Sequence, residues 1–396
     1  MINKAEEYLF SLESKGIKLG LERTKKLLDK CDKPHKKVKV IQILGTNGKG
    51  STSAILSKLL NINANVGLYT SPHLYSFRER IRINGQPIDL ESINMFINTF
   101  KKNIEEINAS FFETMTVMAV WYFAQKKVDY AIMETGLGGK FDSVTACESK
   151  IFGITSISLD HAHILGEKVS DIAKEKIAAI SQKSAVFVSP QTSNIISLIK
   201  KACQKKSATY YEIKSDYNLD LSLKGKHQKE NASLAISIFK HITNDNNHKR
   251  INQALLGLRW PGRNQIIQNK PYIIFDVAHN EQGILSFLNY IKTLQDRYRK
   301  KTLLLSIQKS KEIKTICPNL ESFFDEIIYS KTDSQRGMSY AQIKPYFSHI
   351  KYIKNPEESI KNTLSQSENN DLIAIVGTHH WGNTLKNFFN ICFDNI

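Results

Sequence analysis

A glycine-rich segment, GTNGKGST (Gly45 to Thr52), sits between an apolar β-branched run and an amphipathic one. Small residues let a backbone approach an anion, and the amides and positive end of a following helix bind phosphate. Lys49 is placed to meet terminal phosphates, and Ser51 or Thr52 to help position a metal. The segment is not a literal Walker A, because Gly50 rather than Ser or Thr follows Lys49. The alternative is a ligand-free strand-to-helix turn, but the lysine and the strand-loop-helix context favour phosphate.

Four further segments carry polar groups at chemically useful places. In YTSPHL (Tyr69 to Leu74), which leads into FRERIRING (Phe77 to Gly85), Ser71 and His73 flank Pro72, whose fixed φ suits a shaped loop or an ordinary turn. METGLGG (Met133 to Gly139) ends an apolar run in a carboxylate followed by glycines. Nucleotide sites often hold Mg²⁺ there, although Glu134 reads equally as an N-cap or salt-bridge partner. SISLDHAHILG (Ser156 to Gly166) brings Asp160, His161 and His163 to one strand end, a costly set for a core and therefore a candidate site. DIAKEKIAAI (Asp171 to Ile180) carries Lys176 on a helix, where a lysine is ordinarily a solvated charge.

The elements that must position these groups follow from periodicity. Val38 to Leu44, Val128 to Glu134, Lys150 to Ser158 and Ser184 to Ser189 read as buried strands; Ser51 to Leu60, Phe112 to Gln125 and Val169 to Gln182 read as helices between them. The pattern blurs over Lys205 to Asn231, and a helix resumes from Asn231 to His241. After Trp260-Pro261-Gly262-Arg263 a second series begins, with strands at Tyr272 to Ala278, Thr302 to Ile307, Glu326 to Ser330 and Leu372 to Gly377. The alternation implies an α/β protein with a division near residue 265: an N-terminal P-loop-type domain with a mostly parallel sheet, and a smaller C-terminal Rossmann-like α/β domain.

Composition narrows the class. With 396 residues, 41% apolar and 23% charged, the chain is long and apolar enough for two cores, which excludes a disordered or disulfide-scaffold protein. No apolar run approaches the ~18–20 residues needed to span a bilayer, and the start reads as a polar amphipathic helix rather than a leader. Cys31, Cys147, Cys203, Cys317 and Cys392 are far apart and in no metal-ligand spacing, which reads as reduced thiols in a cytoplasmic protein. The net charge of +17 is spread along the chain without an aromatic-interleaved basic stripe. It suits a field that gathers anionic small molecules.

Taken in order, the motifs closely resemble the Mur ligase superfamily and, within it, the dihydrofolate synthase/folylpolyglutamate synthase family. The resemblance rests on GLER (Gly20 to Arg23), GTNGKGS, YTSPHL with its FRERIRING tail, FFE (Phe111 to Glu113), ETGLGG, LDH (Leu159 to His161), Glu175-Lys176, HQKENA (His227 to Ala232), WPGR and DVAHN (Asp276 to Asn280). These span roughly the first 280 residues; beyond them the match is one of pattern. The resemblance implies an ATP-binding domain with a folate-binding N-terminal segment over 1–265 and a glutamate-ligase domain over 266–396.

It also implies roles. Thr46, Asn47, Gly48, Lys49, Gly50 and Ser51 would wrap the ATP phosphates, and Asn231, Arg263 and Asp276 would contact the nucleotide. Ser71, Glu134 and His161 would hold Mg²⁺, with two ions expected, and Lys176 would be carbamylated and act as an anion beside the metal. Lys49, Lys176 and His279 would serve catalysis. Gly20, Leu21, Glu22, Arg23, Phe111, Phe112, Glu113 and Asp142 would hold the pterin end of dihydropteroate or a folate. The implied reaction is ATP-dependent addition of L-glutamate through an acyl phosphate, in a monomer that closes about a hinge near Gly262 and has no nucleic-acid or membrane partner.

The chain departs from the family pattern at five places, one of them DVAHNE (Asp276 to Glu281) where the family reads DGAHNP. Lys140-Phe141-Asp142-Ser143-Val144-Thr145 stands where the family reads R-L-D-A-T-N, and Ile177-Ala178-Ala179 follows Lys176 in place of A-G-I. QKSKE (Gln308 to Glu312) replaces a D-K-D segment, and Lys18 precedes Leu19-Gly20 where many bifunctional members carry Asp. The ATP and metal set survives these changes, and the folate pocket is where they fall. Competing readings are a ligase with one of the two folate activities, a Mur-type ligase for another acid, and a nucleic-acid-stimulated ATPase. The last leaves LDH, Glu175-Lys176 and DVAHN without a role.

Overall fold

In the computed structural model β1 (Lys39–Leu44) is buried beyond its first residue because parallel neighbours flank it on both edges. The structure describes all residues except 1–3, 17, 215–218, 295–296, 312, 334 and 395. The first sheet adds β2 (Val66–Tyr69), β3 (Ile81–Ile83), β4 (Gln86–Pro87), β5 (Tyr130–Glu134), β6 (Ile151–Ile154), β7 (Ala185–Val188) and β8 (Thr209–Glu212), in the order β4-β3-β2-β5-β1-β6-β7-β8. Only the β2–β3 and β3–β4 pairs are antiparallel.

Helices cover both faces, as fully apolar parallel strands require. On one face the helix Lys49–Leu60 packs with Lys226–Thr243 over Ile41, Ile43 and Ile132. On the other lies Phe111–Gln125, apolar nearly all round and buried accordingly.

The second sheet runs β13 (Lys351–Tyr352), β12 (Glu326–Tyr329), β11 (Lys301–Leu305), β14 (Leu372–Val376), β10 (Tyr272–Asp276) and β9 (Gln265–Asn269), with only β9 antiparallel. It has its own core on each face, and Leu74 of the first unit packs into one of them. At that junction a Cβ on Gly382 would come within 2.5 Å of the Leu74 carbonyl oxygen.

Two expected elements end early for visible reasons. The strand expected over Lys150 to Ser158 stops at Ile154, because the next residues pair with the phosphate loop: Thr46 N donates to Ser156 O (2.7 Å), and Ser158 N donates to Thr46 Oγ1 (3.1 Å). The helix expected over Val169 to Gln182 stops at Ile177, because Lys140 N takes the Glu175 carbonyl (3.0 Å) and the chain tightens into three-residue turns. Conversely, the helix expected from Asn231 starts at Lys226, just after Gly225 at φ +106°. The antiparallel strands β3, β4 and β9 and the helix Leu90–Ile107 carried no expectation.

Candidate active site

The carboxyl ends of β1, β5 and β6 face the carboxyl end of β10 across a cleft of about 550 Å³. Ligands of open parallel sheets bind in such crevices. Every residue expected at a nucleotide, metal or catalytic position lines it: Thr46 to Ser51, Ser71, Glu134, His161, Lys176, Asn231, Arg263, Asp276 and His279.

The phosphate loop is shaped by glycine. Gly48 has φ +88°, and a Cβ there would come within 2.2 Å of Asn231 Oδ1; one on Gly45, at φ +139°, would come within 1.9 Å of Thr155 Oγ1. Lys49 folds back to donate to the Thr46 carbonyl (3.0 Å), so its ammonium already lies over the loop. The hydroxyls of Ser51, Thr52 and Ser53 are buried at the start of the helix without hydrogen-bond partners among the described residues. A buried orphan hydroxyl is costly, and Ser51 lines the cleft, where a phosphate oxygen or hydrated cation would satisfy it.

Glu134, at the end of β5, is 4% exposed and accepts one hydrogen bond, from Ser71 N (3.0 Å). Burial raises its carboxyl above the ordinary range, partly offset by Lys49, the Ser71 amide and Arg263. His161 enters from the β6 loop with φ +52°, and burial and then Lys311 push its imidazole down to about 4, leaving it neutral and able to ligate. Among the described residues no three His, Cys, Asp or Glu side chains converge into a metal cage. Ser71, Glu134 and His161 instead reach one cleft from three loops, which fits a Mg²⁺ shared with substrate phosphates rather than enclosed by protein.

Lys176 is not solvated. It is 5% exposed, and its ammonium has no hydrogen bond among the described residues. Burial, then the Lys49 charge, push its pKa down to about 7, against the pull of Asp142, Asp160 and Glu175. The close approach of its helix is permitted by Gly139, where a Cβ would come within 2.5 Å of the Lys176 carbonyl oxygen. Across the cleft, buried Asp276 accepts from Asn264 N (2.7 Å) and Ala278 N (2.8 Å), and burial raises its carboxyl while Arg263 pulls it back. His279 Nδ1 lies 2.8 Å from Val277 O, leaving Nε2 3.6 Å from Asp160 Oδ2.

The residues expected at the pterin end lie outside this cleft, and several are engaged locally. Arg23 Nε donates to Glu113 (3.0 Å), whose carboxylate also accepts from Ser110 N and Oγ (both 2.8 Å) as half of a capping box. Asp142 accepts from the amides of Gly136, Leu137 and Val144 at 2.9–3.0 Å, with its carboxyl pushed up to about 6 by burial. It therefore shapes the loop after β5. Phe112 backs that loop, filling the space where a Gly136 Cβ would sit (2.2 Å). Phe111 lies under the Arg80 guanidinium (5.1 Å) and stacks on Phe10 (6.2 Å). Gly20 and Leu21 lead into the helix starting at Glu22, on the same side. Buried Arg80 donates to His73 Nδ1 (2.9 Å) and has no carboxylate partner among the described residues.

Two contributors from the second unit were not expected as site residues: Gln282, and Lys311 of the QKSKE segment that stands where the family reads D-K-D. Gln282 Oε1 accepts from Asn47 Nδ2 (2.7 Å), and Lys311 Nζ lies 2.6 Å from Asp160 Oδ1. Both come from the second unit and depend on its docking.

A family model described as "Mur ligase, glutamate ligase domain" matches residues 262–379. The dihydrofolate synthase/folylpolyglutamate synthase of Bacillus subtilis is 29% identical over 403 residues, covering 92% of this chain and 93% of that protein. Escherichia coli FolC, solved with DHPP and ADP, superposes with a TM-score of 0.90 at 25% identity, covering 98% of each chain. The bifunctional folylpolyglutamate synthase/dihydrofolate synthase of Yersinia pestis, solved with AMPPNP and a Mn ion, gives 0.89 at 25% identity, again over 98% of each.

Proposed function

The chain belongs to the dihydrofolate synthase/folylpolyglutamate synthase family of Mur-type ligases, and from that premise we propose that it adds L-glutamate both to dihydropteroate and to folylpolyglutamates at the expense of ATP. The observation that carries the proposal is the single cleft in which a phosphate-binding loop, a buried Ser51 hydroxyl without a partner among the described residues, the Glu134 carboxylate and a depressed lysine meet the second sheet's Asp276 and His279. We assign residues 1–265 to ATP and folate binding and 266–396 to the glutamate-ligase unit, with closure about Gly262. That glycine, at φ +70°, is held by Val277 N donating to its carbonyl (3.1 Å).

A carboxylate resists attack by an amine, so it is first phosphorylated. The Gly45–Ser51 backbone and Lys49 hold the β- and γ-phosphates, while Asn231 beside the loop and Arg263 and Asp276 across the cleft fix the remainder of the nucleotide. Lys49 and Arg263 stabilise charge on the transferring phosphoryl group as the acceptor carboxylate attacks it. Mg²⁺ held by Ser71, Glu134 and His161 would supply charge neutralisation on the phosphate oxygens. Lys176, neutral over much of the physiological range, meets the requirement for carbamylation and would then present an anion on this side of the cleft. Glutamate's amine next attacks the acyl carbon, phosphate leaves, and an amide forms. His279, at the mouth of the second unit, faces that step, and Arg80, a buried cation with no ion-pair partner among the described residues, suits a substrate carboxylate. Holding three reactants in a closed cleft supplies orientation and excludes water. Gly20 to Arg23, Phe111, Phe112, Glu113 and Asp142 frame the pterin end, in part by building its walls.

The test is glutamate-dependent ADP release with ATP and Mg²⁺, offering dihydropteroate and tetrahydrofolate separately. Turnover with both is expected. Turnover with one assigns a single activity. Silence with both, in protein that binds ATP, means that the altered Lys140 to Thr145 segment admits a different acid.

A further inference from the structure

Asp160 ends the loop after β6 with its side chain 12% exposed, and two donors from the second unit converge on it. Lys311 Nζ lies 2.6 Å from Oδ1, on a side chain only 6% exposed, and Asn280 Nδ2 lies 3.1 Å from Oδ2. His279 Nε2 adds a third group at 3.6 Å, too long for a hydrogen bond. Asn280 also exchanges a pair of hydrogen bonds with Asn47 of the phosphate loop, donating to its Oδ1 (3.1 Å) and accepting from its Nδ2 (3.2 Å). Its Oδ1 simultaneously caps the helix Glu281–Lys292 through Gly283 N (2.9 Å). The start of that helix is thus tied to the phosphate loop, and the Lys311–Asp160 pair is the most shielded ionic link of the set, with side chains 6% and 12% exposed.

Separating the two units would expose both charges and break the amide exchange together. A buried ion pair adds little net stability against an apolar alternative, yet losing one partner strands the other in a poor solvent. Its distinctive contribution is registry: it forms in one relative placement of the two units. We propose that Lys311 is the positioning residue that latches the second unit onto the Asp160 loop, so that closure around nucleotide brings His279 and His161 to the same phosphate. Lys311 faces Asp160 rather than a reacting atom and acts through it. The catalytic consequence rests on the ligase reading above; the latch itself rests only on geometry.

The test uses the full chain and two readouts. Small-angle scattering compares the native protein, Lys311→Met and Lys311→Arg, each with and without ADP and Mg²⁺. The native protein is expected to compact with nucleotide, Lys311→Met to remain at its nucleotide-free radius, and Lys311→Arg to recover compaction. In steady state, Lys311→Met is expected to lose at least about 10-fold in kcat, with ADP affinity measured by titration changing far less. In an Asp160→Asn background the same substitution should cost little more, because the pair is already broken. Compaction of Lys311→Met like native, or additive losses in the double variant, would overturn the latch. Should Lys311→Met fail to fold, Lys311→Gln carries the same comparison. If no folate is turned over while the scattering contrast holds, the latch stands and the substrate assignment falls.

Discussion

Replacing Lys176 by Met removes a buried amine whose pKa is held at about 7, against an ordinary 10.5. At pH 7.5 an amine with that pKa is about three-quarters neutral, against about one part in a thousand for an ordinary lysine. The fold therefore raises the fraction able to react with CO₂ several hundred-fold. Lys176→Met is expected to lower glutamate-dependent ADP release by about 100-fold, the upper range for removing a group that orients a metal site. Small carboxylates such as formate should restore part of it. In native protein, CO₂-free buffer should depress turnover and bicarbonate restore it, with activity falling as pH drops through about 7 and the amine is protonated.

The linkage has a definite sign. Between pH 7 and 10.5 the unfolded chain binds more protons at this lysine than the folded one, so stability of the uncarbamylated protein rises with pH over that window. The full shift corresponds to about 5 kcal/mol at most, and Lys176→Met should flatten that rise in chemical denaturation. Native-like turnover in Lys176→Met, or indifference of the native protein to bicarbonate, would refute the reasoning.

Glu134→Gln leaves a neutral amide beside the Ser71 backbone and should shift the Mg²⁺ titration of ADP release to at least about 10-fold higher concentration; an unchanged titration removes Glu134 from the ligand set. Arg23→Met breaks the pair with Glu113, an acid 4% exposed on its side chain. A melting-temperature drop equivalent to about 1–3 kcal/mol is expected, together with weaker dihydropteroate binding, whereas loss of stability with an unaltered acceptor KM would assign Arg23 a structural role alone.

The nucleotide half of the site was legible because phosphate binding is a local problem. Gly45, Gly48 and Lys49 act within one turn, and their spacing is written in consecutive residues. Glu134 was balanced on sequence grounds between a ligand and an N-cap or salt-bridge partner; the fold puts it in the cleft, where among the described residues the Ser71 amide is its one hydrogen-bond donor. Lys176 was indistinguishable from a surface charge until burial was known, since helical spacing does not reveal that Gly139 lets the helix close over it. Ser110 and Glu113 form a capping box visible as S-x-x-E, a local role beside the substrate contact that the family resemblance implies. The docking contacts were invisible for a different reason: Lys311 and Asp160 lie 151 positions apart, and Asn47 and Asn280 lie 233 apart. Only the relative placement of two sheets joins them.

The most direct test of the central claim follows the oxygen. If the acceptor carboxylate is phosphorylated before glutamate attacks, dihydropteroate labelled with heavy oxygen in that carboxylate must pass label to the released inorganic phosphate in step with amide formation. Labelled phosphate appearing with dihydrofolate, and only when glutamate is present for turnover, is the result predicted. Phosphate free of label, released while ADP accumulates, would mean that water takes the phosphoryl group and that this cleft is not a ligase active site.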